Sequence, residues 1–250
     1  MNAIGAELVK LKRSLSWAVV VLLPITLVVS GSVMTLIDGR PLEDGWHTLW
    51  MRSIVFYGLF PLAVGIGILA SLIWRAEHRG SNWNALMSGP TSSLRIVLAK
   101  ATVIGMLAAI MQVLAVATTI VLGKLVFQLP GFLPGEYLIA AVVIIVACFP
   151  VAVLQSWLSM LMRSFAAPVA VAFVGAGISA FLLVLKLTPA IFISPYATVS
   201  RATQLGTSTF ADTGEVTGPV VALIIGAALI LSAVLTTANT AVLERGDTRT

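Results

Sequence analysis

Six long apolar stretches dominate the chain, at about 17–37, 54–74, 96–122, 138–161, 167–187 and 219–243. A membrane-crossing helix needs about 20 mostly apolar residues, so each stretch is read as one span. The apolar core of the first runs from Trp17 past Val33. That is longer than the core of a cleaved leader, and no small-x-small cleavage site follows, so it is expected to stay as a span. Ahead of it, "IGAELVKLKRSLSW" places Ile4, Leu8, Leu11 and Leu15 at helical spacing, with Glu7, Lys10 and Arg13 mainly on the other side. This predicts an interfacial helix over residues 1–16, anchored among head groups by Lys10, Lys12, Arg13 and Trp17. An ordinary basic anchor that happens to be helical fits the same pattern.

The polar segments between spans differ in character. "WRAEHRGSNWNALMSGPTSSLRIVLAK" (Trp74 to Lys100) is the most polar of them. Trp74 and Arg75 end the second span there. Ser81 can cap a short helix over "NWNALM", Gly89 can close it and Pro90 prevents its continuation. Thr91 to Ser93 can cap the third span, which opens with Arg95 near the surface. The product is a transverse helix that projects Trp83, Leu86 and Met87 beside polar groups, a knob suited to a protein partner or to the lipid surface. On the other side, Ile37 to Arg52 is acidic and carries Trp46 and Trp50, which suit an interfacial aromatic belt. Leu129 to Tyr137 is a Pro-Gly turn. The longest outer loop, 188–218, has a first half too apolar for a free loop, because Ile191, Phe192 and Ile193 precede Pro195 and Tyr196. It is expected to dip back to the outer membrane surface as a short broken helix packed on protein, the alternative being an ordinary surface loop.

Composition agrees with an all-α integral membrane protein. Hydrophobic residues make up 59%, charged residues 10%, and mean hydropathy is +1.05. A soluble domain would carry about a quarter charged residues. With six spans both termini share a side, and that side holds ten of the fifteen basic residues and four of the ten acids. Basic residues concentrate in cytoplasmic loops, so both termini are expected in the cytoplasm. The basic balance then reflects topology and calls for no nucleic acid.

The chemistry of the spans is spare. No charge lies near a span centre, where one would mark an ion or proton path. Lys124, Arg163 and Lys186 sit near ends and can snorkel. Gln112 and Gln155 are the strongest interior polar groups, read first as interhelical hydrogen-bond partners and otherwise as residues of a substrate pathway. Small residues recur every four positions at Ala63, Gly67 and Ser71, at Gly105 and Ala109, at Ala172, Ala176 and Ala180, and at Ala222 and Gly226. This spacing permits close helix approach, mostly within the chain, although the second and fifth spans could line a dimer seam. The two histidines, His47 and His78, form no metal pair, and neither an acid–base cluster nor a phosphate-binding loop is present. Lone Cys148 allows no intrachain disulfide. No catalytic residue, metal or cofactor is therefore expected on this chain, and energy for uphill work must come from another one.

Three segments together resemble the membrane subunits of type-2 ATP-binding-cassette exporters, closest to the lantibiotic-immunity and antibiotic-resistance permeases. They are "AELVKLKRSLSWAVVVLLP" (Ala6 to Pro24), "EHRGSNWNALMSGPTSSLRIVLAK" (Glu77 to Lys100) and "SPY" (Ser194 to Tyr196). The resemblance implies an elbow helix at the N-terminus and a coupling helix in the 75–95 loop that seats in a groove of the ATPase. Arg79, Asn82, Trp83, Leu86 and Met87 would make that contact, with Glu77 and Arg95 positioning it. Phe192, Pro195 and Tyr196 would form an outer gate. It further implies two copies of an ATPase subunit carrying ATP and Mg, a second permease subunit (identical or paralogous), and a place in the bacterial cytoplasmic membrane. The cargo would be hydrophobic or amphipathic, an antimicrobial peptide or lipophilic antibiotic. Export of a lipid, haem-related group or glycan precursor is the alternative within transport, and a non-transporting scaffold or assembly factor the alternative outside it.

Overall fold

The computed structural model describes residues 3–11, 14–37, 42–79, 83, 91–210 and 212–247. Its elements are all helical: α1 (Ala3–Lys10), α2 (Ser16–Ile37), α3 (Gly45–Leu59), α4 (Pro61–His78), α5 (Ser93–Leu125), α6 (Gly135–Leu161), α7 (Ala166–Val184), α8 (Thr188–Ile193), α9 (Pro195–Thr203) and α10 (Gly218–Asp247). Among them α2, α5, α6, α7 and α10 are each long and apolar enough to cross a membrane, and α3 with α4, bent at their junction, is a candidate sixth span. The chain is an all-α integral membrane protein.

The second span departs from expectation. Helix begins at Gly45 rather than near residue 54, and Trp46 and Trp50 are buried rather than set in an interfacial belt. The reason is a stripe at Trp46, Leu49, Trp50, Ser53, Ile54 and Tyr57, one face of a helix, which packs against α5 and α6. The Trp46 indole nitrogen donates to the Pro130 carbonyl at 2.8 Å, and Trp50 stacks on Tyr137 with ring centroids 5.2 Å apart. A Cβ on Gly123 would collide with the Trp46 ring, so that glycine is what lets the indole lie on α5. Pro61 then ends the straight run. Lacking an N–H, it cannot continue the hydrogen-bond ladder of α3, and it opens α4 at a bend of 47°.

One end of the bundle gathers α1, the end of α4, the start of α5 and the end of α10, where Leu243 packs with Trp74, Ile96 and Met160. Lys10, Arg75, Arg95 and Lys100 make this the basic end. At 33 residues α5 is about 50 Å long, well beyond a hydrocarbon core of about 30 Å.

The loop after α7 enters the bundle more deeply than a return to the membrane surface. Gly206 lies beside Tyr137, at the start of α6, while the Tyr196 hydroxyl reaches Gln155. Those two α6 positions are eighteen residues apart, about 27 Å of helix. Helices α8 and α9 therefore form a re-entrant hairpin with its tip at Ser194 and Pro195. Ser194 caps α9 by accepting from the Ala197 N–H at 3.3 Å, and Pro195 occupies the first helical position. Tyr196 to Thr203 are all buried.

Candidate functional site

At the basic end four charged side chains meet. Lys100, 1% exposed, places its ammonium 3.0 Å from Glu7 Oε2 and 3.0 Å from Glu77 Oε1. Lys10 donates to Glu7 Oε1 at 2.9 Å and to Glu77 Oε1 at 2.5 Å. Two carboxylates and two ammoniums thus close a neutral cluster that ties α1 to α4 and α5. Burial alone would pull the Lys10 pKa down. Its hydrogen bonds to Glu77 and Glu7, with their charges, outweigh that and hold it above the ordinary 10.5. The Lys100 ammonium also lies 4.6 Å from the centre of the Trp74 ring, a cation–π contact.

Trp74 and His78 carry the cluster across to α6. The fully buried Trp74 indole donates to Ser156 Oγ at 2.9 Å. His78 Nε2 lies 2.8 Å from the Ser159 carbonyl, which can only accept, so this nitrogen bears the proton. Trp83 lies flat on His78 (centroids 5.8 Å apart, planes 7° apart) and 6.1 Å from Trp74. Trp83 is thereby clamped to the base of the 75–95 hairpin.

Deeper in the bundle, α4, α6, α7 and α9 converge on Tyr196. Its hydroxyl accepts from Gln155 Nε2 at 2.6 Å. A Cβ on Gly175 would sit 2.5 Å from its ring, so α7 makes room for the phenol by having none. A Cβ on Gly67 would lie 3.0 Å from Ala172 and 3.3 Å from Gln155 Oε1. The small residues of α4 and α7 therefore face each other within the chain. On α10, Gly226 meets no such neighbour among the described residues. Gln112 and Asn239 are fully buried, and among the described residues neither end of either amide has a hydrogen-bond partner. Among the described residues no group of three His, Cys, Asp or Glu could hold a metal ion.

A family profile described as ABC-2 family transporter protein matches residues 3–179, from α1 into α7. The chain belongs to the ABC-2 transporter family. It is a multi-pass membrane permease subunit of an ABC transporter, a role that implies association with an ABC ATPase; such subunits typically lack an ATPase site. No curated protein and no solved structure matches it.

In this ABC-2 permease the residues singled out from sequence have different fates. Glu77 and Trp83 join the cluster and its clamp. Arg79 is exposed where α4 ends in extended backbone, and Arg95 is exposed on the first turn of α5. Asn82, Leu86, Met87, Lys12 and Arg13 lie outside the described residues. Trp17 is exposed, whereas Lys10 directs its ammonium to Glu7 and Glu77. Tyr196 is buried at the tip of the re-entrant hairpin, with Pro195 and Phe192 half-buried beside it. Gln155 is an interhelical partner of Tyr196, and Gln112 has no hydrogen-bond partner among the described residues. Glu7 and Lys100 were missed. The clue was available, since only four acids sit on the side that basic residues dominate, and an acid there needs a reason.

Proposed function

We propose that this permease couples to its ATPase through the 75–95 hairpin and exports a hydrophobic or amphipathic compound. An antimicrobial peptide or lipophilic antibiotic, as handled by the lantibiotic-immunity subgroup, fits best. Two ATPase copies, holding ATP and Mg, serve a pair of permease subunits, identical or paralogous, in a bacterial cytoplasmic membrane. Arg79, Asn82, Trp83, Leu86 and Met87 meet the ATPase, while Glu77 and Arg95 set the hairpin's position.

The observation that supports this most is the seating of Trp83 on His78 and Trp74. A push on the hairpin enters these two rings, which hold Ser159 and Ser156 of α6. The neighbouring Gln155 holds Tyr196, at the tip of the re-entrant hairpin that also carries Pro195 and Phe192, the proposed gate. Cargo chemistry is read from the interior, where Gln112, Gln155 and Asn239 offer amides and the surrounding helices offer packing. An uncharged, largely apolar cargo suits such a path.

Co-purification with the ATPase, followed by ATP turnover in liposomes with and without candidate peptides, tests the reading. Trp83→Ala should lower turnover and abolish stimulation by peptide. Equal turnover in wild type and Trp83→Ala, or transport by the permease with no ATPase present, overturns it.

A further inference from the structure

A second polar feature lies at the basic end, apart from the ion cluster. Between the ends of α4, α6 and α7 is a cavity of about 190 Å³. Its polar lining comes from Ser71, Arg75 and His78 of α4, Ser159 of α6, and Arg163 and Ser164 in the connection to α7. Ser71, Arg75 and His78 are spaced four and three apart, so they share one helix face. Glu77, two residues from Arg75, points away and is committed to Lys10 and Lys100. Among the described residues no acid lines the cavity. Two arginines thus line a space in which no carboxylate of the described residues balances them.

The floor and the rim are both ordered. The hydroxyls of Ser71 and Ser159, each nearly fully buried, lie 3.4 Å apart. His78 is fixed by its bond to the Ser159 carbonyl, and the Arg75 guanidinium sits 6.0 Å from the centre of the Phe165 ring. Drug-sized ligands occupy about 300–1,000 Å³, so this cavity is too small for one but ample for a phosphate. Paired guanidiniums and hydroxyls are the donors a phosphate takes. The surroundings identify its carrier: Leu161 and Phe165, 56% and 41% exposed at the ends of α6 and α7, offer apolar surface beside the opening for acyl chains. Basic pockets between membrane helices on one face of a bilayer bind anionic head groups.

We propose that this cavity binds the phosphate of an anionic phospholipid, with Arg75 and Arg163 as its cationic ligands and Ser71, Ser159 and Ser164 as hydroxyl donors. The site does not depend on the ATPase reading. The test is native mass spectrometry of the full-length permease in detergent, titrated with dioleoyl phosphatidylglycerol, dioleoyl phosphatidylcholine or inorganic phosphate. One phosphatidylglycerol should be retained per chain in preference to phosphatidylcholine. Losing two charge-assisted contacts in Arg75→Gln/Arg163→Gln should weaken that retention by about tenfold or more, while Lys186→Gln, at the far end of α7, leaves it unchanged. Both arginines are exposed, so these variants keep the fold, and Arg163→Gln alone should show a smaller loss. If inorganic phosphate displaces phosphatidylglycerol in an arginine-dependent way, the phosphate site stands and free phosphate is a second source. Equal retention of the two lipids, or undiminished phosphatidylglycerol retention by the double variant, overturns the proposal.

Discussion

Replacing Lys100 by Met removes one of the four charges at the basic end while keeping a flexible side chain of similar length. The ammonium lies 3.0 Å from a carboxylate oxygen of both Glu7 and Glu77. At an effective dielectric near 20, each contact is worth about 5 kcal/mol of gross attraction. Taking a side chain that is 1% exposed out of water opposes most of this. The measurable effect comes from what is left behind: two carboxylates, 8% and 6% exposed, with Lys10 as their one remaining base in the cluster. Removing one partner of a buried ion pair costs about 3–5 kcal/mol. The low end applies, because Lys10 still bridges both acids. A loss of about 3 kcal/mol lowers the melting temperature of a chain this size by on the order of 10 °C, which intrinsic fluorescence of the detergent-solubilised permease will read. The double variant Lys100→Met/Glu77→Gln restores neutrality around the Glu7–Lys10 pair and should recover more than half of the loss. A Lys100→Met melt that matches wild type, or a double variant that melts at the sum of the single losses, would refute the cluster as a coupled unit.

Four further outcomes follow from the geometry. Tyr196→Phe strips Gln155 Nε2 of its partner in a buried site and should cost about 1–3 kcal/mol, measured in the same melt. Gly175→Ala pushes a methyl against the Tyr196 ring and should cost about 1–3 kcal/mol, a penalty that Tyr196→Ala in the same chain relieves. Asp212 lies 3.0 Å from the Arg201 guanidinium and accepts from the N–H groups of Thr207, Ser208 and Gly214, so Asp212→Asn should speed cleavage after α9 by added protease without changing cleavage elsewhere. The Lys10 pKa is raised above 10.5; for a base that gains partners on folding, the stabilisation is full below that value and fades as pH rises through the higher folded value. A spin label on α1 should therefore stay immobile across the neutral range and loosen only above pH 10.5.

How much of this was legible in the sequence varies with the distance over which a contact is made. The lengths of the first, third, fourth and sixth spans follow from continuous apolar runs, and the break at Ser194–Pro195 follows from a proline after an apolar segment. The start of the second span was misplaced because His47, Thr48 and Arg52 interrupt the apolar run. Yet Trp46, Trp50, Ser53 and Tyr57 recur at helical spacing, and a test for one buried face rather than for total hydropathy would have found α3. The depth of the re-entrant hairpin was not legible, since it depends on Gly175 of α7 leaving space for a ring twenty-one residues away. Nor was the ion cluster, whose members at positions 7, 10, 77 and 100 come from three helices and share no local pattern.

One turn of α6 lies between these two illegible features. Gln155, Ser156 and Ser159 fall within five residues and bind Tyr196, Trp74 and His78 respectively. Gln155 and Ser156 lie four and three residues before Ser159, so all three share one side of α6, where Gln155 also lies beside Gly67 of α4 while donating to Tyr196 of α9. A rigid helix cannot move one of these side chains without moving the others, because its backbone hydrogen bonds fix their relative rise and rotation. Trp74 is anchored in turn by Lys100 of a neutral ion cluster whose dissolution leaves charge buried, whereas Tyr196 is held by its hydrogen bond to Gln155 and by shape. The stiffer attachment is therefore at the hairpin base and the softer one at the re-entrant tip. Displacement that begins at the hairpin is expected to be taken up where the restraint is weaker, at Tyr196, with α6 as the lever.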